Sequence, residues 1–212
     1  MSDWTVVIPV KGTDSAKSRL GASPELASAI ALDTVAAVLA ETDVLVVTSS
    51  TIASQFEASG ARVIIEAEHG LNAAVRQGIA AAGDGRVAVL LGDVPALRPQ
   101  ELAAALALAA HHPLAFVADA DNDGTVLISA LDPTDHRPAF GAHSRAAHLA
   151  AGYVELEIPL DSGLRGTSTP RSSSPPSTLG WVRARERSSP LVDTSVSGQV
   201  LHGSCQTLES MF

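Results

Sequence analysis

The chain has 212 residues, of which 46% are hydrophobic, and a formal net charge of -9 at pH 7. A chain of this length buries roughly 70% of the surface that its unfolded form exposes, which excludes disorder over the whole length. The negative charge argues against a protein that coats nucleic acid or binds an acidic membrane. With a single cysteine, Cys205, and no N-terminal apolar signal or long apolar span, we expect a cytoplasmic protein without an internal disulfide.

Apolar, β-branched segments alternate with helical segments along the first 160 residues. Strands are predicted at Trp4–Val10, Asp43–Thr48, Ala61–Ile65, Val87–Leu91, Leu114–Asp119, Thr125–Leu131 and Tyr153–Ile158. Helices are predicted at Glu25–Glu41, Ile52–Ser59, Leu71–Ala82, Pro99–His111 and Ser144–Ala151. Such alternation is typical of a mostly parallel sheet with helices on both faces, and we expect a Rossmann-like α/β sandwich of three layers.

The composition changes near Gly166. Alanine occurs 35 times before this position and only once after it. The stretch Thr167–Thr178 (TSTPRSSSPPST) contains 11 Ser, Thr or Pro residues in 12, which is typical of disordered chain. We therefore predict a folded domain over residues 1–165 and a poorly ordered tail over residues 166–212.

The loop after the first strand holds both lysines of the chain, Lys11 and Lys17, together with Arg19. In an open parallel sheet ligands bind beyond the carboxyl ends of the strands, and lysine contacts phosphate as a compact point charge. The loop is therefore a candidate phosphate site, with a solvated surface loop as the alternative. It is not a Walker loop, because Ala16 stands where that motif has the glycine before its lysine.

Asp93 follows directly on the predicted strand Val87–Leu91, where a carboxylate can hold Mg²⁺ against the phosphates of a nucleotide. The alternative is a helix cap. Pro99 and Glu101 place the next helix start near Arg98, which is too late for Asp93 to cap it. We therefore favour the metal interpretation.

Two further loops carry candidate ligand groups. Asn72 could read the edge of a base, although an asparagine at a helix start is more often a cap. Asp119, Asp121 and Asp123 crowd before Gly124, but no EF-hand calcium loop is present. We interpret that stretch as a solvated turn, with the following threonine as an anion contact.

These loops together resemble the 2-phospho-L-lactate and phosphoenolpyruvate guanylyltransferases of coenzyme F-420 biosynthesis. That family belongs to the Rossmann-like nucleotidyltransferases, which are similar to the glycosyltransferase-A fold. The resemblance runs from about Val6 to Arg165, and the order and spacing of its motifs are specific. The motifs read IPVKGTDSAKSRL, GLNAAV, LLGDVPAL and DGTVLI, then Phe140-Gly141 with Ser144 and His148, and finally Gly163-Leu164-Arg165.

The resemblance implies transfer of the GMP moiety of GTP to a small phosphorylated carboxylic acid, with Mg²⁺ as the cofactor. Such a transfer needs positioning and charge neutralisation more than a side-chain nucleophile. For catalysis the resemblance implies Lys17, which would contact the acceptor or the α-phosphate, and Lys11, which would contact the triphosphate. For binding of the nucleotide it implies Arg19 and Asn72. The residue implied for the metal is Asp93. The residues implied for the acceptor pocket are Thr125, Gly141 and Ser144.

The alanine-rich composition is similar to that of actinobacterial proteins and favours phosphoenolpyruvate as the acceptor. The sequence does not separate it from 2-phospho-L-lactate or 3-phosphoglycerate, since each presents a phosphate and a carboxylate. We expect no nucleic-acid or membrane partner. A homodimer is compatible with the sequence, which does not fix the oligomeric state.

The chain departs from the family pattern after Arg165. The family continues with Asp-Val-Asp-Thr-Pro, whose two aspartates join the earlier one at the metal, whereas this chain continues Gly166-Thr167-Ser168-Thr169-Pro170. The codons GAC GTC GAC ACC CC, read one base later, encode Thr-Ser-Thr-Pro. A single-base frameshift just before Gly166 is therefore our hypothesis, and a lineage-specific tail is the alternative.

Two other functions stay open at this point. One is another nucleotidyltransferase, acting on a molybdenum-cofactor pterin or on a sugar phosphate. The other is a catalytically impaired nucleotide-binding remnant, because the two later metal aspartates are missing.

Overall fold

The computed structural model describes residues 3–11 and 24–166, which form one sheet with helices on both faces. The strands are β1 (Trp4–Pro9), β2 (Asp43–Thr48), β3 (Arg62–Ile65), β4 (Arg86–Leu90), β5 (Leu114–Ala118), β6 (Thr125–Ala130) and β7 (Val154–Glu155). The helices are α1 (Pro24–Leu39), α2 (Ala53–Ala58), α3 (Leu71–Ala82), α4 (Pro99–Ala109) and α5 (Ser144–Ala150). Short 3₁₀ helices lie at Pro133–Asp135 and Gly163–Arg165.

The strand order of the sheet is β3-β2-β1-β4-β6-β5-β7. Strand β6 runs antiparallel to both of its neighbours, and every other pair is parallel. The expected mostly parallel α/β sheet is therefore confirmed. The chain proceeds outward from β1 to β3 and then returns to the other side of β1 as β4, so the strand order reverses between β1 and β4.

Alternate residues of the central strands fill two separate cores, one on each face of the sheet. Val6 and Ile8 pack into the core that contains Val35 of α1 and Leu102 of α4. Val7, between them, packs into the opposite core with residues of α3. The near-continuous apolar run of β1 follows from this burial on both faces, which gives the three layers that the sequence predicts.

The last strand is the strand that departs most from its predicted bounds, while most other elements differ by one or two residues at an end. We predicted Tyr153–Ile158, but the structure has a strand only at Val154–Glu155. The Leu156 amide still donates to the carbonyl of Phe116 at 2.8 Å, and then the Ile158 amide turns back to the carbonyl of Leu156 at 3.0 Å. Since this turn is followed by Pro159, which has no amide hydrogen, the ladder cannot continue.

Contacts along the chain group Met1–Pro170 into one unit, which contains every described residue. The predicted tail begins at Gly166, the last described position, and its remaining residues lie outside the described part of the chain. The predicted domain boundary therefore stays a prediction. Within residues 3–11 and 24–166, the structure contains no helix with the length and apolarity that a bilayer crossing requires.

Helix α3 lies unusually close to the sheet at Gly78. A Cβ at this position would fall against the side chain of Val7 and 2.9 Å from Cγ2 of Val47. Replacing a glycine inside a helix by alanine usually stabilises a protein by about 1 kcal/mol. Here the added methyl has no room, so the sign of the effect should reverse.

We predict that Gly78→Ala lowers the free energy of unfolding by about 1–3 kcal/mol, because the substitution overpacks the contact between α3 and the sheet. Urea denaturation measures the change. The matched control is Ala80→Gly, at an exposed position of the same helix, which should cost only the propensity difference of about 1 kcal/mol. A stabilised Gly78→Ala protein would contradict the close packing.

Candidate active site

Lys11 and Asp93 lie at the point where the strand order reverses. Lys11 follows β1, Asp93 follows β4, and β1 and β4 are paired neighbours. Lys11 is exposed and Asp93 is half-buried. Burial raises the pKa of the Asp93 carboxyl, and the positive charge of Lys11 partly opposes this rise. The structure therefore brings together a predicted phosphate contact and the predicted metal ligand.

A cavity of about 290 Å³ opens beside Lys11 at the same edge of the sheet. Its walls come from the end of β1, from the loop between β3 and α3, and from the first turn of α3. The lining residues are Pro9, Val10, Lys11, Glu66, His69, Gly70, Leu71 and Ala74. The cavity thus combines an apolar wall with one cation and one carboxylate.

The backbone around Glu66 is held on three sides. The Glu66 amide donates to the carbonyl of Thr48 at 2.9 Å. The carboxamide of Gln77, on α3, accepts from the Ala67 amide and donates to the Ile65 carbonyl, both at 2.9 Å. The sequence did not identify Glu66 or Gln77 as a candidate. A charged residue in a loop is usually solvated, and a glutamine in a helix belongs to no recognisable motif.

Asn72 does not cap α3. The N-cap is Gly70, and the Asn72 side chain reaches the backbone of Phe140 instead. Its Nδ2 donates to the Phe140 carbonyl and its Oδ1 accepts from the Phe140 amide, both at 2.9 Å. The capping interpretation is therefore wrong, and the proposed contact with the nucleotide stays a prediction for a side chain that already bonds the protein.

His148 links Thr125 to the segment before Gly141. Nε2 of His148 accepts from the Ala139 amide at 3.1 Å, so the proton of the neutral ring resides on Nδ1. That nitrogen lies 2.9 Å from Oγ1 of Thr125 and donates to it. Thr125 and His148 are buried. Because its oxygen accepts from the imidazole, the Thr125 hydroxyl keeps its own hydrogen as a donor.

His136 and Tyr153 hold the same segment at its other end. Nε2 of His136 lies 3.1 Å from the carbonyl of Val87, which can only accept, so Nε2 carries the proton. Nδ1 of His136 then accepts from the Tyr153 hydroxyl at 3.0 Å. The Tyr153 oxygen in turn accepts from the Arg137 amide at 2.8 Å. We call residues 136–141 the strap, since buried side chains hold its backbone along the sheet.

The strap leads into the two remaining acceptor candidates. Gly141 is exposed and has φ of 142°, whereas Ser144 begins α5 and is buried. Nearby, the Asp119 carboxylate accepts from the amides of Asp123 and Gly124 at 3.1 and 3.0 Å. The aspartate-rich stretch is thus a turn, as predicted, and the structure shows that the Asp119 side chain closes it.

The Gly163–Arg165 turn is anchored beside the loop that carries Asp93. The Glu101 carboxylate, on α4, accepts from the Gly163 amide at 3.0 Å, and Gly163 packs against the carbonyl of Ala96. Arg165 is buried and donates to the carbonyls of Ile158 and Asp119 at 3.0 and 2.9 Å. The chain therefore passes residue 166 at the edge of the sheet where Asp93 lies.

Asp93 belongs to no cluster of three potential metal ligands in the part of the chain that the structure describes. No group of three His, Cys, Asp or Glu side chains with metal-binding geometry occurs there. Lys17 and Arg19 fall outside the described residues, so their predicted roles stay predictions.

A second cavity, of about 320 Å³, lies at the opposite edge of the sheet. Trp4 and Arg86, the first residues of β1 and β4, line it together with alanines of α4. It contains none of the predicted site residues. Since ligands of open parallel sheets bind at the carboxyl ends of the strands, the cavity beside Lys11 is the candidate active site.

The fold and the position of the site define a nucleotidyltransferase-like α/β protein. A nucleotidyl transferase from Methanothermobacter superposes with a TM-score of 0.54 at 23% identity, covering 80% of this chain and 93% of that one. A 4-diphosphocytidyl-2C-methyl-D-erythritol synthase from Anaerococcus prevotii superposes with a TM-score of 0.53 at 11% identity, covering 79% and 91%. At these identities the similarity concerns the fold.

The chain belongs to the CofC-like guanylyl transferase family, whose pattern matches residues 4–152. A phosphoenolpyruvate guanylyltransferase from Salinispora arenicola is 49% identical over 166 residues, covering 72% of this chain and 78% of that protein. One from Streptomyces coelicolor is 47% identical over 170 residues, covering 73% and 80%. The resemblance stated from the motifs is confirmed.

Burial lowers the pKa of two histidines, His136 in the strap and His148 on α5, to about 4 from the ordinary 6.5. As the pH falls, these two histidines are therefore protonated in the unfolded chain before they are protonated in the folded protein. We predict that the free energy of unfolding is fully retained above pH 6.5 and falls between pH 6.5 and 4, by up to about 3 kcal/mol per histidine.

Urea denaturation at several pH values measures this loss. His148→Gln should be less stable at neutral pH but should lose about 3 kcal/mol less than the parent as the pH falls to 4. His111→Gln, at an exposed position, is the control and should keep the parental slope. An unchanged slope in His148→Gln would contradict the buried neutral state of this histidine.

Proposed function

We propose that this protein transfers the guanylyl group of GTP to phosphoenolpyruvate in coenzyme F-420 biosynthesis. A phosphate oxygen of phosphoenolpyruvate attacks the α-phosphorus of GTP, the bond to the β-phosphate breaks, and pyrophosphate leaves. The product joins GMP and enolpyruvate through a diphosphate. Membership of the guanylyl transferase family and the names of the close relatives support this substrate pair. The cytoplasm is the compartment that we propose for the reaction.

The observation that carries the proposal is the juxtaposition of Lys11 and Asp93 beside a cavity at the switch point. The reaction brings together a triphosphate and a phosphorylated acid in a chain of net charge -9. Local positive charge must therefore offset the repulsion between the substrates and the protein. Lys11 supplies part of that charge at the described site, and Lys17 and Arg19 follow in the same loop.

The acceptor is assigned to the end of the strap. Phosphoenolpyruvate presents a phosphate and a carboxylate, which accept hydrogen bonds from hydroxyl and amide donors. Thr125 retains a hydroxyl hydrogen because His148 donates to its oxygen. The backbone at Gly141 is accessible to a ligand, because no atom lies within 4 Å of the place that a Cβ would occupy at this residue.

Asp93 would hold Mg²⁺ at this site, where the ion would supply positive charge to the substrate phosphates. Magnesium in nucleotide enzymes is commonly held by one or two carboxylates plus phosphate oxygens, and Asp93 supplies one. When bound, the ion neutralises charge on the reacting phosphates. Asp93 holds its carboxylate at the edge of β4 in a partly buried setting, where the charged form is disfavoured until a cation arrives.

A second candidate function is nucleotide binding with impaired catalysis. The described residues hold one metal carboxylate where the family has three, and the chain leaves Arg165 as Gly166-Thr167 rather than as Asp-Val-Asp. A protein of this kind binds GTP but releases little pyrophosphate. The gene sequence decides whether the ending is a frameshift: an uninterrupted frame without Asp-Val-Asp-Thr-Pro in the neighbouring frame would dismiss that hypothesis.

We predict that the chain as written releases pyrophosphate from GTP and phosphoenolpyruvate at least about 100-fold more slowly than a chain with the family ending restored after Arg165. The chain as written lacks the two aspartates of the family ending, which would contact the metal. Removing one charged contact of this kind commonly lowers the rate by a factor of this order. A coupled pyrophosphate assay measures both proteins, with 2-phospho-L-lactate and 3-phosphoglycerate as parallel acceptors. An ordinary rate from the chain as written would refute the impairment, and no acceptor-dependent release from the restored chain would refute the function.

In the restored chain, Lys11→Ala should lower kcat/KM by at least about tenfold, because a cation beside the triphosphate is removed. Arg76→Ala, which removes an exposed positive charge from α3, is the matched control and should leave the rate unchanged. Equal rates for the two variants would show that Lys11 acts only through the overall charge of the protein.

A further inference from the structure

One carboxylate in the cavity beside Lys11 has no donor among the described residues. The Glu66 side chain is only 21% exposed, and the structure shows no hydrogen bond to its carboxylate within residues 3–11 and 24–166. Nδ1 of His69 lies 4.0 Å from Oε1, which is too long for a hydrogen bond, and the His69 side chain is 97% exposed. The two oxygens of this carboxylate are therefore open as acceptors on the cavity that Glu66 lines. The arrangement favours a ligand that brings its own donors.

Glu66 is also held in place before any ligand binds. Its amide bonds to Thr48, and Gln77 bonds to the backbone on both sides of it, each at 2.9 Å. Such support fixes the direction in which the side chain leaves the backbone. A carboxylate that leaves from a fixed backbone discriminates between ligands by its charge and by its two acceptor oxygens.

We propose that Glu66 reads the guanine base of the nucleotide, an inference that rests on the proposed function. The Watson–Crick edge of guanine presents two neighbouring donors, the N1 hydrogen and the N2 amino group. An ionised carboxylate presents two acceptor oxygens and no donor, so the two edges pair in a bidentate manner. Adenine, cytosine and uracil each place an acceptor beside the donor on this edge, and that acceptor is repelled by the carboxylate.

The position of Glu66 agrees with a base subsite. The cavity of about 290 Å³ is near the lower limit of ligand pockets, as expected for a subsite that takes the base rather than the whole nucleotide. Lys11 lines the same cavity at the end of β1. Along this edge of the sheet Lys11 lies between Glu66, which follows β3, and Asp93, which follows the neighbouring strand β4. A base placed against Glu66 therefore has its triphosphate directed toward the two groups already assigned to phosphate and metal.

The test is a binding measurement that uses GTP, inosine triphosphate and xanthosine triphosphate with the full chain and its Glu66→Gln, Glu66→Ala and Glu68→Gln variants. Inosine lacks the N2 amino group, and xanthine carries a carbonyl in its place. The glutamine amide offers one acceptor and one donor, which matches xanthine rather than guanine. Glu68 is exposed, lies two positions along the same loop and does not line the cavity, so Glu68→Gln is the matched control.

We expect the parent and Glu68→Gln to prefer GTP over both analogues by at least about tenfold. Glu66→Ala should lose the discrimination between GTP and inosine triphosphate. Glu66→Gln should bind GTP at least about tenfold more weakly and xanthosine triphosphate more tightly than the parent does, which reverses the preference. A gain in affinity for the xanthine nucleotide cannot result from misfolding.

Three outcomes would overturn the assignment. An unchanged preference for GTP in Glu66→Gln, alongside acceptor-dependent pyrophosphate release, would reject Glu66 as the reader and leave the proposed function standing. A uniform loss of affinity for all three nucleotides would show that Glu66 only supports the loop. A parent protein that binds no nucleotide, or prefers a base other than guanine, would reject both the assignment and the proposed function.

Discussion

Two hydrogen bonds between Asn72 and the backbone of Phe140 join parts of the site that are 68 residues apart in the chain. Asn72 belongs to the first turn of α3, which lines the cavity, whereas Phe140 belongs to the strap that leads to Gly141 and Ser144. A carboxamide offers one donor and one acceptor, so the Asn72 side chain bonds both the carbonyl and the amide of a single residue. The spacing between the proposed nucleotide and acceptor subsites therefore depends on one side chain, and His148 and Tyr153 hold the strap at its other contacts.

The architecture and the edge of the sheet that carries the candidate site were predictable, because both follow from local rules. Apolar runs such as Trp4–Pro9 identify buried strands, and the carboxyl-end rule then places Lys11 and Asp93 at the same edge. The role of Asn72 was not predictable, since a cap, a base contact and a long-range tie look alike in sequence. The sequence likewise does not distinguish Glu66 from Glu68, because both are glutamates of the same loop. In the structure they differ, because Gln77 bonds the backbone on both sides of Glu66 and because Glu66 is less exposed and lines the cavity.

The two buried histidines contribute hydrogen bonds without contributing charge. Both have a pKa near 4 because burial disfavours the imidazolium, so at neutral pH each ring has one donor and one acceptor in fixed positions. The strap is therefore oriented by neutral groups. Under the proposed function, Lys11 supplies positive charge at the cavity in a chain of net charge -9.

The anchoring of Gly163 against Ala96 and Glu101 has a consequence for how the protein can be rebuilt. Together with the buried guanidinium of Arg165, it fixes the point in space from which any following chain must start, whatever its sequence. The core up to Arg165 therefore provides a fixed attachment point for different C-terminal segments. Endings from different family members can be grafted at residue 166 and compared on one scaffold, so that the contribution of the ending to catalysis can be separated from that of the core.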